Sequence, residues 1–214
     1  MPSPALLSLD IGTTMGFAVA REVLISEMRP LDATSYSCWP EKLLSRRKGE
    51  RPSARPKRLR DALVSLIASL RAGEFFAGPC DVTIIYEDIG FQKGHQAAMV
   101  FGELRGVIFE VCETFTVTHE AVHPSTYRQY LFGHTGPKED EVAYLVASLM
   151  GEHWQGETDH NALDAMALLI WKLATSTNEK TGEVPGLFAP ARWCPSSATR
   201  SALRKQVQAA RQGR

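Results

Sequence analysis

The sequence predicts an α/β fold in which a mixed β-sheet of five strands is flanked by helices. Three observations carry this prediction. The chain has 214 residues, 44% of them hydrophobic, which is enough to bury one core of ordinary domain size. Segments typical of strands are grouped near the N-terminus, and farther along the chain such segments alternate with helical ones. This order favours a mixed sheet over an all-parallel one.

Five segments are rich in the apolar and β-branched residues typical of strands. The first segment ends at Asp10, and the turn from Gly12 to Gly16 predicts an antiparallel hairpin with the second. The fourth lies between Pro79 and Gly90 and has the pattern of a buried strand. The predicted strands are 5–9, 17–25, 33–38, 82–86 and 115–122.

Apolar residues recur at helical spacing in four other segments. The first of these helices ends before Gly73, and the third opens after Gly136-Pro137, where Pro137 is suited to a first-turn position. The stretch 40–56 is rich in Pro and Arg and predicts a mobile loop. The predicted helices lie within 59–72, 95–114, 138–150 and 160–173.

Charge is strongly segregated although the net charge is zero. Residues 42–60 carry nine Lys and Arg against Glu50 alone, and residues 184–214 carry six basic residues and no acid. We divide the chain into a domain at 1–177, with a basic loop at about 40–58, and a basic tail at 178–214 that is flexible or weakly helical. Two basic segments on an acidic body favour a nucleic-acid ligand, and a solvated loop and tail are the plain alternative.

Composition excludes several classes of protein. No stretch reaches the ~20 consecutive apolar residues of a membrane span, and the N-terminus lacks the pattern of a secretory signal. The four cysteines are scattered without CxxC or zinc-ligand spacing, so we expect reduced thiols. We expect a soluble, cytoplasmic protein of a bacterial or phage-infected cell, with no membrane partner.

Acidic residues end two of the predicted strands. Asp10 and Glu87 each follow a strongly apolar segment, where an unpaired charge is costly unless a cation compensates it. If these two strands are neighbours in the sheet, both carboxylates emerge at the same end. Converging carboxylate oxygens are what Mg²⁺ or Mn²⁺ requires. The structural alternatives are an Asp bonded within its own turn and a Glu at an exposed strand end.

A third acidic group lies at the entry of the last predicted helix. His160 and Asp164 are four residues apart and share a helix face, and Asp164 has apolar neighbours in the sequence. A buried Asp164 needs a partner, and a metal ion or its bound water would serve. Asp159 is rotated away from Asp164 if it is helical, so it can instead be the N-cap of the helix.

Five segments, in their order along the chain, resemble those of RuvC-like Holliday junction resolvases, which have the ribonuclease H-like fold. They extend over about residues 5–175. Each motif is weak by itself, but the shared order is more specific. The segments are LDIGTTMGFAV, VTIIYEDIGF, HQAAMVFGELRGVI, VHPSTYRQYLFGHTGPKEDEVAYLV and DHNALDAMALLIW.

The resemblance implies a catalytic, metal-binding cluster. By position it assigns Asp10, Glu87 and Asp164 as ligands of Mg²⁺ or Mn²⁺, with two ions per site. The family usually has another ligand three residues before the last Asp, where this chain has Asn161. Either Asn161 binds as a neutral oxygen donor, or Asp159 or His160 replaces it, and a hard cation favours the carboxylate over the imidazole.

The same resemblance implies hydrolysis of phosphodiester bonds in branched DNA, such as a four-way junction, with a 5′-phosphate product. It places an aromatic residue, here Phe91, against a base at the branch point. It also implies a homodimer formed through the second predicted helix, where Gly102 and Gly106 share one face. The basic residues that we expect to contact DNA are Arg46, Arg47, Lys48, Arg105, Arg128 and Lys138.

Three rival functions remain at this stage. The segment DIGTT also fits the phosphate loop of actin, Hsp70 and sugar-kinase-type ATP-binding proteins, which have two lobes and about twice this length. A second rival is a nucleic-acid-binding module without catalysis, which Asn161 supports. A third is another nuclease of the ribonuclease H-like fold that acts on flaps or RNA–DNA hybrids.

Overall fold

The structure is a computed structural model, which describes residues 3–12, 14–21, 36–42, 49–51, 53–76, 78–88, 95–150, 157 and 159–181. Strands come first and then alternate with helices, as the sequence predicts. In chain order the elements are β1 (Ser3–Asp10), β2 (Met15–Arg21), β3 (Tyr36–Glu41), α1 (Ala54–Ala72), β4 (Cys80–Glu87), α2 (His95–Phe115), β5 (Thr118–Val122), α3 (Pro124–Phe132), α4 (Glu139–Met150) and α5 (His160–Thr181).

The strands form one five-stranded sheet in the order β3-β2-β1-β4-β5. β2 is antiparallel to both β1 and β3, whereas β4 is parallel to both β1 and β5. The predicted mixed sheet and its N-terminal hairpin are therefore confirmed. Pro40 is accommodated in β3 because this strand forms an edge of the sheet.

Alternation of side chains along β1 divides the core between the two faces of the sheet. Leu7 and Leu9 belong to a buried cluster that includes Leu63 of α1 and Ile108 of α2. Leu6 belongs to a second cluster, formed with buried residues of α3, α4 and α5. The sheet is thus covered on both faces, and the ends of its central strands are the place where a site can open.

A glycine in β2 lets α5 come very close to the sheet. A Cβ atom added to Gly16 would lie 1.8 Å from the carbonyl oxygen of Asn161, so no side chain fits at this position. The next inward-facing residues of the strand, Ala18 and Ala20, are also small and fully buried. Because Gly16 pairs with Asp10 in the register of the hairpin, this contact fixes the entry of α5 beside the end of β1.

Helix α3 is the element that sequence analysis missed. Proline occupies its first turn, His123 is its N-cap, and it ends at Gly133, whose φ is 75°. Its buried residues are Tyr127 and Leu131, and two apolar positions give too weak a periodicity to predict a helix. The start and stop signals were nevertheless present in the sequence.

The predicted loop at 40–56 is wrong at both ends. β3 continues to Glu41, and α1 begins at Ala54. Pro56 lies in the first turn of α1. Backbone N–H groups in the first turn have no acceptor within the helix, so proline, which lacks this group, costs no hydrogen bond there. Within this stretch, residues 43–48 and 52 lie outside the described residues.

Several predicted boundaries shift by a few residues. β2 ends at Arg21 and β3 spans Tyr36–Glu41, whereas the second and third strands were predicted at 17–25 and 33–38. β5 begins at Thr118, because α2 continues to Phe115. α4 begins at Glu139, so Pro137 precedes the helix.

α5 extends to Thr181, and residues 182–214 of the predicted tail lie outside the described residues. None of the described helices has the length and apolarity needed to cross a lipid bilayer. Three of the four cysteines are free thiols in the structure, as expected, and the remaining one, Cys194, is among the residues not described.

Candidate active site

Two buried carboxylates meet at the end of two central strands of the sheet. Asp10 ends β1 and Glu87 ends β4, and these strands are parallel neighbours whose register pairs Leu9 with Tyr86. The side chains therefore emerge at the same end of the sheet, as the sequence predicted for neighbouring strands. Asp10 is 9% exposed and Glu87 is 5% exposed, so neither charge is well solvated.

Asp164 of α5 faces the same place. Burial raises its pKa to about 6, and the neighbouring Glu87 adds to this increase while Arg128 opposes it. The pKa of Asp10 is raised to about 8, first by burial and then by the charges of Glu87 and Asp164. Glu87 thus raises the pKa of both other acids, and Asp164 raises the pKa of Asp10, which indicates that the three carboxylates lie near one another. The three acids that sequence analysis grouped therefore face one place in the fold, and their role as metal ligands stays a prediction.

Two residues of the unpredicted helix α3 join the acids. The hydroxyl of Tyr127 donates a hydrogen bond to Oε1 of Glu87, and both groups are buried. Arg128 donates from Nε to the Tyr127 hydroxyl at 3.1 Å. Its Nη2 atom lies 3.4 Å from Oε1 of Glu87 and 3.5 Å from Oδ2 of Asp164. The guanidinium group therefore bridges a strand carboxylate and a helix carboxylate.

The electrostatics of these two residues follow from their position. Burial raises the pKa of Tyr127 far above its usual value, and the charges of Glu87 and Asp164 raise it further. The phenol therefore remains protonated and acts as a hydrogen-bond donor to Glu87. Burial of Arg128 disfavours its charged form, but Tyr127 and the two carboxylates outweigh this effect and raise the guanidinium pKa.

The entry of α5 is organised by Asp159. Its Oδ1 atom accepts hydrogen bonds from the backbone N–H of Asn161 at 2.9 Å and from the side-chain Nδ2 at 2.8 Å. The predicted N-cap role of Asp159 is thus confirmed. The amide oxygen of Asn161 points away from Asp159 and toward Gly12, which follows Asp10 by two residues. This oxygen lies 3.5 Å from the position that a Cβ of Gly12 would take. His160 is exposed and lies close enough to lower the pKa of Asp164.

The donor set fits a hard divalent cation by its chemistry. Three carboxylates face one guanidinium, and carboxylate oxygens are the preferred ligands of Mg²⁺ and Mn²⁺. Within the described part of the chain, however, no three His, Cys, Asp or Glu side chains already enclose a cation-sized space. Nη2 of Arg128 lies within 3.5 Å of both Glu87 and Asp164, so a positive charge is already present beside these two carboxylates.

The predicted DNA-contacting residues fall into three groups. Arg128 is in the carboxylate cluster, as described above. Arg105 is exposed on α2, pairs with Asp88 at 3.1 Å and lies over the ring of Phe109. Lys138 is exposed just before α4, where its backbone N–H donates to Glu141. The remaining four, Arg46, Arg47, Lys48 and Phe91, lie outside the described residues.

Part of the predicted basic loop has a structural role. Arg58 and Arg60 lie in α1, where Arg58 pairs with Glu50 and Arg60 makes a bidentate contact with Glu110 of α2. These two guanidinium groups connect elements within the domain. The positive charge of this segment is therefore not all available to an external ligand.

Comparison with known proteins supports the fold. No family model matches the sequence, and no curated protein matches it. Among solved structures, Thermus thermophilus RuvC in complex with a Holliday junction substrate is similar, with a TM-score of 0.59 and 19% identity over 78% of this chain and 92% of that chain. Another structure of Thermus thermophilus RuvC gives a TM-score of 0.55 and 18% identity over 81% of this chain and 97% of that chain. The chain therefore has the ribonuclease H-like fold of RuvC, as its sequence motifs suggested.

Proposed function

We propose that this chain is a Mg²⁺- or Mn²⁺-dependent, structure-selective endonuclease that hydrolyses phosphodiester bonds in four-way DNA junctions and leaves 5′-phosphate ends. The observation that carries the proposal is the meeting of the buried Asp10 and Glu87 with the partly buried Asp164 at one end of the sheet of a RuvC-like fold. Three carboxylates this close to the hydrophobic core are costly to ionise unless a cation compensates their charge. A phosphodiester backbone is a substrate that two such cations and a nearby arginine can hold.

The residues of the chain would share the work as follows. Asp10, Glu87 and Asp164 would hold two divalent ions, which supply the activated water and stabilise the leaving oxygen when bound. Tyr127 keeps Oε1 of Glu87 hydrogen-bonded, so Oε2 is the oxygen of that carboxylate better placed to bind a cation. The burial of Asp10 and Glu87 shields their carboxylates from bulk water, which strengthens their interaction with the ions.

Asn161 is our choice for the fourth ligand, among the three candidates that the sequence left open. Its Nδ2 donates to Asp159, which orients the amide so that Oδ1 lies beside Gly12 and the end of β1. Asp159 already uses one oxygen in capping α5, and its charge still acts on Asp10. We therefore assign Asp159 an orienting role as well as a contribution to the negative potential of the site.

DNA binding would use the basic residues around the cluster. Arg128, Arg105 and Lys138 are candidates for phosphate contacts. Arg128 pairs with Glu87 and Asp164, Arg105 pairs with Asp88 next to Glu87, and Lys138 precedes Glu139, whose charge acts on Asp164. The basic residues 46–48 and the aromatic Phe91 remain predicted contacts in segments beyond the described residues. Neutralising a phosphate contact should reduce the slope of log affinity against log salt by roughly 0.9.

A homodimer completes the proposal. Met99, Gly102, Gly106 and Phe109 follow one another at helical spacing along α2. Met99 is 54% exposed, Phe109 is 36% exposed, and a Cβ at either glycine would meet nothing within 4 Å. This open face has the small and apolar residues that a close contact between two helices requires. A two-fold dimer would present two active sites to the two symmetric strands of a junction.

The decisive test is cleavage of a four-way junction by purified full-length protein with Mg²⁺. Asp10→Asn and Glu87→Gln should each lower cleavage by at least about 1,000-fold, because each removes a proposed ligand. Junction binding should be retained or strengthened in both variants, since a negative charge facing phosphate is lost. Asp81→Asn is the matched control, because Asp81 is exposed at the opposite end of β4 and should leave cleavage unchanged.

Substrates compared in parallel separate the alternatives. A flap, an RNA–DNA hybrid and a linear duplex should be cut much more slowly than the junction. Faster cleavage of the flap or hybrid would assign the same cluster to another nuclease activity. Tight ATP binding without cleavage of any nucleic acid would favour the hypothesis that DIGTT is the phosphate loop of a kinase-type ATP-binding protein. Full cleavage activity of both Asp10→Asn and Glu87→Gln would refute the proposed site.

A further inference from the structure

Arg128 is held by the acidic cluster in an unusual manner. A single nitrogen atom, Nη2, lies 3.4 Å from Glu87 and 3.5 Å from Asp164, and these distances are long for charge-assisted hydrogen bonds, which are usually 2.7–2.9 Å. The firmer contact is the 3.1 Å bond from Nε to Tyr127, a neutral group. The guanidinium therefore neutralises the carboxylates without being locked to either one.

The acidic side chains in this place outnumber the basic ones that pair with them. Asp10, Glu87 and Asp164 are three acids, and within the described residues Arg128 is the Lys or Arg side chain that forms ion pairs with any of them. Removing a guanidinium from buried acids would leave them without compensation, which is strongly unfavourable. A divalent cation offers more charge in a smaller volume than the guanidinium does. The guanidinium and the metal ion would therefore compete for the negative charge of the same two carboxylates, Glu87 and Asp164.

The geometry points to an exchange of counter-ions, and we propose that Arg128 is an exchangeable internal counter-ion of the active site. In the metal-free protein its guanidinium neutralises Glu87 and Asp164. When these carboxylates bind a divalent cation, the guanidinium leaves them and becomes free to contact a DNA phosphate. This inference rests on the proposed function for the assignment of Glu87 and Asp164 as metal ligands.

The exchange has a consequence for metal affinity. If Arg128 competes with the cation, replacing it by a neutral side chain should strengthen metal binding, whereas loss of a purely structural arginine would weaken binding or leave it unchanged. Arg128→Gln should lower the Kd for Mn²⁺ on the order of tenfold, because a positive charge next to the site is removed. The same variant should be less stable without metal and should gain more thermal stability on addition of Mn²⁺ than the wild type does.

Calorimetric titration of Mn²⁺ into metal-free full-length protein tests these expectations. Arg128→Lys keeps the charge and should bind Mn²⁺ within about twofold of the wild type. Arg60→Gln is a matched control, since Arg60 also pairs with a carboxylate, Glu110, but lies on α1 away from the cluster. Unchanged or weaker Mn²⁺ binding by Arg128→Gln that remains folded by circular dichroism would overturn the exchange.

A measurement on the wild-type chain keeps the test independent of variant stability. The Nε–H signal of Arg128 in a nitrogen-correlated NMR spectrum can be assigned by its loss in Arg128→Lys. It should shift or broaden on titration with Mg²⁺, because the guanidinium changes partners. A signal that stays in place at saturating Mg²⁺ contradicts the proposal. If the wild type binds Mn²⁺ no better than Asp10→Asn does, the proposed metal site itself fails, which is a different outcome.

Discussion

Glycine has opposite surroundings in two regions of this molecule. At the junction of β2 and α5, Gly16 lies against the backbone of Asn161, so closely that a Cβ would fall 1.8 Å from a carbonyl oxygen. On α2, Gly102 and Gly106 face open space. Gly16 lets the helix that carries Asp164 come close to the hairpin whose other strand ends at Asp10, and so positions the candidate site. Gly102 and Gly106 instead leave a stretch of the α2 surface without side chains, which would allow a partner helix to approach closely.

The largest effect expected from this comparison is that of Gly16→Ala. Its Cβ must push the first turn of α5 away from β2, which should cost about 3 kcal/mol of unfolding free energy, at the upper end for overpacking. The same displacement moves Asn161 and Asp164 away from Asp10, so Mn²⁺ binding should be lost. Denaturant unfolding and calorimetry measure both quantities. Gly102→Ala is the matched control and should show neither loss.

A Gly16→Ala variant with the wild-type denaturation midpoint and the wild-type Mn²⁺ affinity would contradict this account. In that case the contact between β2 and α5 would be loose enough to admit a methyl group. The position of Asp164 would then depend on the packing of the remainder of α5 and not on its first turn.

Most of the framework of this site could be predicted from the sequence. Asp10 and Glu87 end apolar segments, and because parallel neighbours place their C-terminal ends together, the meeting of the two acids required only the pairing of β1 with β4. The apolar neighbours of Asp164 predicted burial, and the side chain is partly buried, with 21% of it exposed. These are local patterns of one strand or one helix, which a sequence displays directly.

The contribution of α3 could not be predicted in the same way. Arg128 is 41 residues from Glu87 and 36 residues from Asp164, so its ion pairs depend wholly on tertiary packing. The sequence assigned Arg128 to DNA, a role that stays a prediction, and assigned no role to Tyr127. The sequence signals for α3 were the Pro in its first turn and Gly133 after its end, but sparse apolar spacing concealed the helix.

The second expected effect concerns two tyrosines of α3. Tyr127→Phe removes the hydroxyl that donates to Glu87 and accepts from Arg128, leaving both groups without that partner. We expect a loss of about 2 kcal/mol in unfolding free energy without metal. The control is Tyr130→Phe, because the hydroxyl of Tyr130 is buried and has no hydrogen-bond partner among the described residues. Its removal should be neutral or slightly stabilising.

Chemical denaturation of both variants in the presence of a chelator measures this difference. Equal stability of the two variants would mean that the bond from Tyr127 to Glu87 contributes nothing beyond the burial of its ring. Such a result would also weaken the idea that α3 orients the strand carboxylate.

The smallest expected effect returns to the open face of α2. Gly106→Ala should raise the unfolding free energy of the monomer by about 0.5–1 kcal/mol. Alanine loses less backbone entropy than glycine when the helix forms, and its Cβ meets no neighbouring atom at this position. If α2 contacts its counterpart in a homodimer, the added methyl group should also weaken self-association, measured by sedimentation equilibrium. Ser65→Ala, at an exposed position of α1, improves helix propensity without touching this face and serves as the control. A gain in stability with unchanged self-association would place the dimer contact elsewhere. A methyl group added at a close helix–helix contact should cause a steric clash, whereas one added on a solvent-exposed face should not.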